Sequence, residues 1–121
     1  MKYGEMNVAC HSYKKWKTIL REELELASTF EIHCWQDEME WISLALQYGE
    51  KKEIFWDYGT CISGKVTPEF VTLILSLPKP KDVEIYDKMT PFFSIFLDTG
   101  FSSEHYGTEL SKSKNKTIIS E

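Results

Sequence analysis

One segment limits the possible folds of this chain more than any other, because it has the pattern of a nearly all-apolar helix with defined ends. Thr67-Pro68-Glu69 is typical of a helix start: threonine caps, proline fits the first helical position, and the acid faces the positive end of the helix dipole. Pro78-Lys79-Pro80 ends the helix. Since the residues between are almost all apolar, the helix is predicted to be buried in a core that the rest of the chain must supply.

Two further segments have helical spacing. Residues 12–27 repeat apolar residues every three or four positions, and Ser12 stands where a cap is expected. Residues 37–48 have an apolar face with Asp37 as the predicted cap. Gly49 follows and is predicted to end this helix in the left-handed conformation.

The remaining segments are less regular. Residues 82–99 place aromatic residues at helical spacing and favour a helix broken or kinked at Pro91. Residues 29–35 alternate as a strand with Phe30, Ile32 and Cys34 on one side. Residues 52–63 are irregular and compatible with two short strands around a turn.

The predicted helices cover nearly half of the 121 residues, which is more than the usual third. We therefore predict a mostly α fold, a single compact domain over residues 1–110 with a possible small β element; an α+β fold is the alternative. Residues 111–121 are polar and basic, and are predicted to form a flexible tail.

Composition excludes several classes of protein. The formal charge is −5, and Arg21 is the only arginine among 14 basic residues, which argues against a general nucleic-acid binder. No apolar run approaches the roughly 18 residues of a membrane span. The first residues lack a signal-peptide core, and Cys10, Cys34 and Cys61 have no paired spacing. We therefore expect a cytoplasmic protein with reduced cysteines.

Negative charge is concentrated in two segments that are also rich in aromatic residues. Residues 22–57 contain ten acids and two cations, a net charge of −8; residues 82–109 contain six acids and one cation, a net charge of −5. Acidic surface is commonly just solvated, but it can also complement a basic partner, with aromatic side chains as desolvated anchors. The candidate anchors are Trp35, Trp41, Trp56, Tyr58 and Tyr106.

Metal-binding and catalytic patterns are weak. Cys10-His11 and His33-Cys34 resemble ligand pairs, but neighbours in a strand point to opposite faces and zinc spacings are absent, so no metal site is predicted. No nucleophile elbow or phosphate-binding glycine loop is present. His105, in the polar segment 102–107, is the one candidate acid–base residue, although a structural histidine is the simpler interpretation.

Four stretches carry a family resemblance: Gly64-Lys65-Val66-Thr67-Pro68-Glu69-Phe70, Leu77-Pro78-Lys79-Pro80, Ile85-Tyr86-Asp87-Lys88-Met89-Thr90-Pro91-Phe92-Phe93 and Gly100-Phe101-Ser102-Ser103-Glu104-His105-Tyr106-Gly107-Thr108. Together they resemble bacterial immunity proteins of contact-dependent growth inhibition systems, in particular those that act on ribonuclease toxins. The resemblance covers a little over half of the chain. It implies a cytoplasmic protein that binds the C-terminal nuclease domain of a cognate toxin and blocks its substrate, with no catalysis and no cofactor.

The resemblance assigns no site residues, so the candidates come from charge and expected exposure. We expect the toxin to be bound by an acidic, aromatic surface, and the alternatives are a generic protein-interaction or regulatory module and a small enzyme that uses His105 or a cysteine. The predicted toxin-binding residues are Glu38, Glu40, Asp57, Tyr58, Glu104 and Tyr106.

Overall fold

The computed structural model describes residues 8–53, 58–81 and 87–113. Seven strands and three helices occur in this part of the chain, and none of these helices is long and apolar enough to cross a bilayer. The elements are β1 (Val8–Ala9), α1 (Tyr13–Leu26), β2 (Thr29–Trp35), α2 (Met39–Ala45), β3 (Glu50–Lys52), β4 (Gly59–Lys65), α3 (Pro68–Ser76), β5 (Ser94–Leu97), β6 (Phe101–Glu104) and β7 (Glu109–Lys112).

The strands form one antiparallel sheet in the order β1-β7-β6-β5-β2-β4-β3. The prediction of a mostly α fold is therefore wrong: the fold is mostly β or α+β, with three short helices. The central strand β2 pairs with β4 on one side and with β5 on the other. Such pairing joins segments far apart in sequence, and local periodicity carries no information about it.

The largest local error concerns residues 82–99, because the described part of this segment contains a strand in place of the predicted kinked helix. Ile95 and Leu97 in β5 pair with Ile32 and Phe30 of β2 and share their buried face, while Phe96 points to the other face. An apolar run this short fits the residue spacing of a helix or of a strand, and pairing with β2 determines that it forms a strand. Residues 82–86 lie outside the described residues.

The end of the described chain also differs from the prediction. Strand β7 continues to Lys112, two residues past the domain boundary placed at residue 110. The Ser113 amide then donates a hydrogen bond to the Gly100 carbonyl at 3.0 Å. Residues 114–121 of the predicted tail lie outside the described residues.

Local signals at three elements are confirmed. The Ser12 hydroxyl caps α1 by accepting from the Lys15 amide, and the Thr67 hydroxyl caps α3 by accepting from the Phe70 amide. Strand β2 has the predicted bounds. The helix predicted over 37–48 is shorter, since α2 begins after Glu38 and Asp37 does not cap it.

All three helices pack against the same face of the sheet. On this face the α1 side chain of Trp16 donates a hydrogen bond to the Ser103 hydroxyl at 3.1 Å. Phe70 of α3 stacks on Phe30 of β2 with ring centroids 3.8 Å apart, and Tyr48, just after α2, meets the edge of Phe70. The register places Glu31, His33, Cys61, Phe96, Glu104 and Glu109 on the opposite face, which we call the open face.

Candidate functional site

One end of the sheet gathers the side chains that the sequence favours for binding. Because the strands are antiparallel, β2 and β6 end there, and β4, β5 and β7 begin there. An open cleft of about 640 Å³ lies at this end, which we call the aromatic–acidic cleft. It is lined by Trp35, Gln36, Asp37, Glu38, Tyr58 and Tyr106. Three predicted toxin-binding residues therefore come together here: Glu38, Tyr58 and Tyr106.

Glu38 holds the wall of the cleft together. Its Oε1 accepts a hydrogen bond from the Trp35 amide at 2.8 Å, and its Oε2 accepts one from the Tyr106 hydroxyl at 2.7 Å. Tyr106 is only 7% exposed, so its predicted exposure is not observed. The Glu38 carboxylate and the Tyr106 hydroxyl therefore shape the cleft through their contact with each other.

An aromatic cluster supports the same wall. The Phe93 ring lies with its centroid 5.1 Å from Trp35, 5.1 Å from Tyr106 and 5.7 Å from His105, in tilted or edge-to-face arrangements. The Lys88 ammonium lies 4.2 Å from the centroid of the Tyr106 ring, within the range of a cation–π contact. These contacts fix side chains that otherwise have rotational freedom, so the cleft is preorganised.

The turn between β6 and β7 has an unusual backbone. His105, Tyr106 and Gly107 have φ angles of 53°, 61° and 88°, and a positive φ is uncommon for a bulky residue such as tyrosine. The turn is held in place because the Tyr106 amide donates to the Phe93 carbonyl at 3.0 Å and the Tyr106 carbonyl accepts from the Met89 amide at 2.8 Å. Backbone strain of this kind concentrates at functional sites.

The rim of the cleft offers accessible groups to a partner. Tyr58 is 70% exposed, and its carbonyl is anchored by the Gln36 amide at 3.0 Å. Asp37 is exposed, and Trp35 is half-buried. The sequence predicts Asp37 only as a helix cap, so its place beside the rings of Trp35 and Tyr58 is a feature of the cleft that the binding prediction does not include.

The other predicted residues lie around the cleft or outside the described chain. Glu40 is exposed in the first turn of α2 but does not line the cleft. Glu104 ends β6 on the open face, directly across from Glu109 of β7. Asp57 lies outside the described residues, as does Trp56, and Trp41 packs edge-on against Phe92 with centroids 6.3 Å apart.

His105 is partly exposed beside a carboxylate, whereas the cysteines are buried. His105 Nδ1 lies 3.0 Å from Glu109 Oε1, across the β6–β7 turn. All three cysteines are buried and free. Burial, with the nearby Glu38 charge as a further cause, raises the pKa of the Cys34 thiol to about 12. A thiol that stays protonated at neutral pH is a poor nucleophile.

A second cluster lies on the open face, where Glu31, His33 and Cys61 offer donor atoms within 4.8 Å of one another. Glu31 Oε2 accepts from His33 Nε2 at 2.8 Å, and its Oε1 accepts from the Lys52 ammonium at 3.0 Å. Desolvation alone would raise the pKa of the Glu31 carboxyl, but hydrogen bonds from His33, Lys52 and Cys61 outweigh it and hold this pKa at about 2. The sequence reasoning missed the cluster because it tested only adjacent Cys–His pairs.

Comparison with protein-family models, curated proteins and solved structures finds no match to this chain.

Proposed function

We propose that this protein is an immunity protein that binds the nuclease domain of a contact-dependent growth inhibition toxin with the aromatic–acidic cleft and its neighbouring carboxylates. One observation carries the proposal: the exposed acid Asp37 and the accessible rings of Trp35 and Tyr58 converge on a single preorganised cleft. The resemblance described above suggests the toxin class, with a ribonuclease as the implied enzyme. Such an inhibitor acts in the cytoplasm of the cell that makes the toxin.

The physical basis is charge mimicry. A ribonuclease presents a basic cleft to RNA, and carboxylates can occupy it in place of phosphates. Asp37 and Glu40 are exposed close together in sequence, at the turn that leads into α2. Tyr58 and Trp35 supply the large rings that contribute most energy when an interface of about 800 Å² per partner forms. Occlusion of this kind needs no catalysis.

The pair Glu104 and Glu109 supports the same interpretation. They are direct partners in the register of β6 and β7, and like charges at such positions destabilise a sheet by a few tenths of a kcal/mol or more. The Ser102 hydroxyl donates to Glu104 at 3.0 Å and His105 Nδ1 lies 3.0 Å from Glu109, so each carboxylate already has a polar partner within the chain. A cationic partner docked over this end of the sheet would add a counter-charge to both.

Two other functions use the same features differently. A generic interaction or regulatory module would use the same cleft for a partner that is not a nuclease, and identification of the bound protein separates the two. A small enzyme would need a reactive His105 or cysteine. Burial, with hydrogen bonding to Glu31 as a second cause, raises the pKa of the Cys61 thiol to about 12, as burial does for Cys34, so these two thiols favour the binding proposals.

The proposal predicts that a large exported protein is encoded beside this chain, and its C-terminal nuclease domain is the partner to test with the full chain. RNA cleavage and association rate are measured at low and high salt for the natural chain and for Asp37→Lys/Glu40→Lys. We expect the double reversal to slow association at low salt by at least about tenfold, because electrostatic steering is reversed.

The matched control is Glu22→Lys/Glu25→Lys, which makes the same charge change on exposed positions of α1. The control should inhibit RNA cleavage as the natural chain does. Equal loss in both variants would mean that overall charge governs binding and that the cleft does not. No binding to the nuclease by the natural chain would refute the immunity function itself.

A further inference from the structure

The open face carries a cluster with the donor atoms of a transition-metal site. His33 of β2 and Cys61 of β4 are direct cross-strand partners, and Glu31 lies two residues before His33, so all three side chains project from one face. One carboxylate oxygen, one imidazole nitrogen and one sulfur lie within 4.8 Å of one another. The backbone register of two adjacent strands therefore brings these donors together.

The donor groups of the cluster are held in place, and the cluster is open to solvent on one side. Cys61 is completely buried, whereas the side chains of Glu31 and His33 are 29% and 23% exposed. The His33 ring is also held against the Phe96 ring, with centroids 4.9 Å apart. A metal ion can thus enter from solvent and reach a sulfur that is fixed at the bottom of the site.

We propose that Glu31, His33 and Cys61 form a zinc-binding site with three protein ligands and a fourth position open to solvent. Zinc accepts oxygen, nitrogen and sulfur donors in tetrahedral geometry at about 2.0–2.3 Å, and three-ligand sites with an open position are a known zinc arrangement. Calcium and magnesium prefer oxygen donors throughout, so a site with a buried sulfur disfavours them. Zinc binding at this site needs no toxin and is independent of the proposed function.

Zinc binding replaces hydrogen bonds within the cluster by bonds to the metal. The zinc ion forms a bond to Cys61 Sγ, the S–H bond breaks, and the thiol proton passes to the buffer, against the raised pKa that burial gives this thiol. His33 coordinates through Nε2 as the neutral ring with its proton on Nδ1: the Nε2 proton passes to solvent, Nδ1 takes one up, and the hydrogen bond from Nε2 to Glu31 Oε2 is lost. The Glu31 carboxylate gives up its hydrogen bond to the Lys52 ammonium, which is exposed and can turn into solvent. Lys52 therefore competes with the metal for Glu31. Some substitutions should weaken zinc binding, and removal of Lys52 should strengthen it.

The test begins with the metal-free full chain and cobalt(II) as a spectroscopic probe, followed by displacement with zinc. We expect a thiolate-to-cobalt charge-transfer band in the natural chain that is lost in Cys61→Ser. Zinc affinity, measured by competition with a chelator, should fall at least about tenfold in Cys61→Ser and in His33→Gln. Because His33 is partly exposed, His33→Gln keeps the test valid even if Cys61→Ser fails to fold.

Two matched controls complete the design. Lys52→Met should strengthen zinc binding, whereas Lys51→Met, the same change on the opposite face of β3, should not. His105→Gln removes a histidine that also lies 3.0 Å from a glutamate, in a pair outside the Glu31–His33–Cys61 group, and should leave zinc affinity unchanged. A natural chain with no charge-transfer band, or a band that persists in Cys61→Ser, would overturn the proposal.

Discussion

The Glu38 carboxylate and the Tyr106 hydroxyl, 68 residues apart in sequence, form a 2.7 Å hydrogen bond that joins the turn before α2 to the β6–β7 turn. The second oxygen of the same carboxylate accepts from the Trp35 amide. A single acidic side chain thereby ties the Trp35 backbone to the Tyr106 hydroxyl on the wall of the cleft. The contact also explains how a turn with positive φ angles at His105 and Tyr106 is held in place.

Replacement of Tyr106 by phenylalanine tests this contact. Tyr106→Phe should lower the free energy of unfolding by about 1.5–3 kcal/mol, since a hydrogen bond to a charged acceptor is lost at a buried position. Urea denaturation measures the change. Tyr58→Phe removes the same hydroxyl from an exposed ring and should change stability by less than about 0.5 kcal/mol. Equal effects in the two variants would contradict the structural role of the Tyr106 hydroxyl.

A second stability prediction concerns Gly49. A Cβ atom at this position would lie 2.4 Å from the Ser63 carbonyl oxygen, in the rigid backbone of β4. Gly49→Ala should therefore destabilise the protein by about 1–3 kcal/mol through forced backbone displacement. The exposed Ser43→Ala on α2 serves as the comparison and should be nearly neutral. A Gly49→Ala protein as stable as the natural chain would show that this close approach is relaxed at little cost.

Gly49 also illustrates how far the sequence could be interpreted. The sequence predicts it as a helix terminator in the left-handed conformation, but its φ is not positive. A glycine is needed here because the backbone approaches β4 too closely for a Cβ atom. Local signals such as the Ser12 and Thr67 caps and the alternation in 29–35 were sufficient, because each depends on neighbouring residues. The approach of two strands depends on tertiary pairing, which a single sequence does not encode locally.

The candidate site, too, could be predicted only in part from the sequence. Charge and aromatic content led to Glu38, Tyr58 and Tyr106, which do meet at one cleft. Their exposure could not be inferred, and Tyr106 is buried where exposure was expected. Cys61 joins His33 only through the β2–β4 register, so no sequence spacing could have found that cluster.

Glu31 gives a pH prediction for the metal-free protein. Its pKa is about 2 in the folded state, against 4.5 for an unperturbed glutamate. This carboxylate therefore contributes stability above pH 4.5, and the contribution is lost as the pH falls towards 2. Carbon-detected NMR of the Glu31 carboxyl should show this low midpoint.

Removal of the Lys52 partner should move that midpoint. Lys52→Met deletes a hydrogen bond and a positive charge next to Glu31, so the Glu31 pKa should rise. Lys51→Met changes the charge equally but projects from the other face of β3, and should leave the midpoint in place. If both variants shift it alike, long-range charge and not the direct contact sets the Glu31 pKa.

The footprint of a bound toxin nuclease on this protein tests whether the aromatic–acidic cleft is the docking surface, and it is mapped by NMR shift changes at backbone amides and tryptophan indoles. We expect the largest changes at Trp35, Asp37, Tyr58 and the turn at Tyr106, while the amides of Glu22 and Glu25 on the exposed side of α1 stay unaffected. A footprint centred on the outer surfaces of α1 and α3, with Trp35 and Tyr58 unchanged, would contradict this expectation.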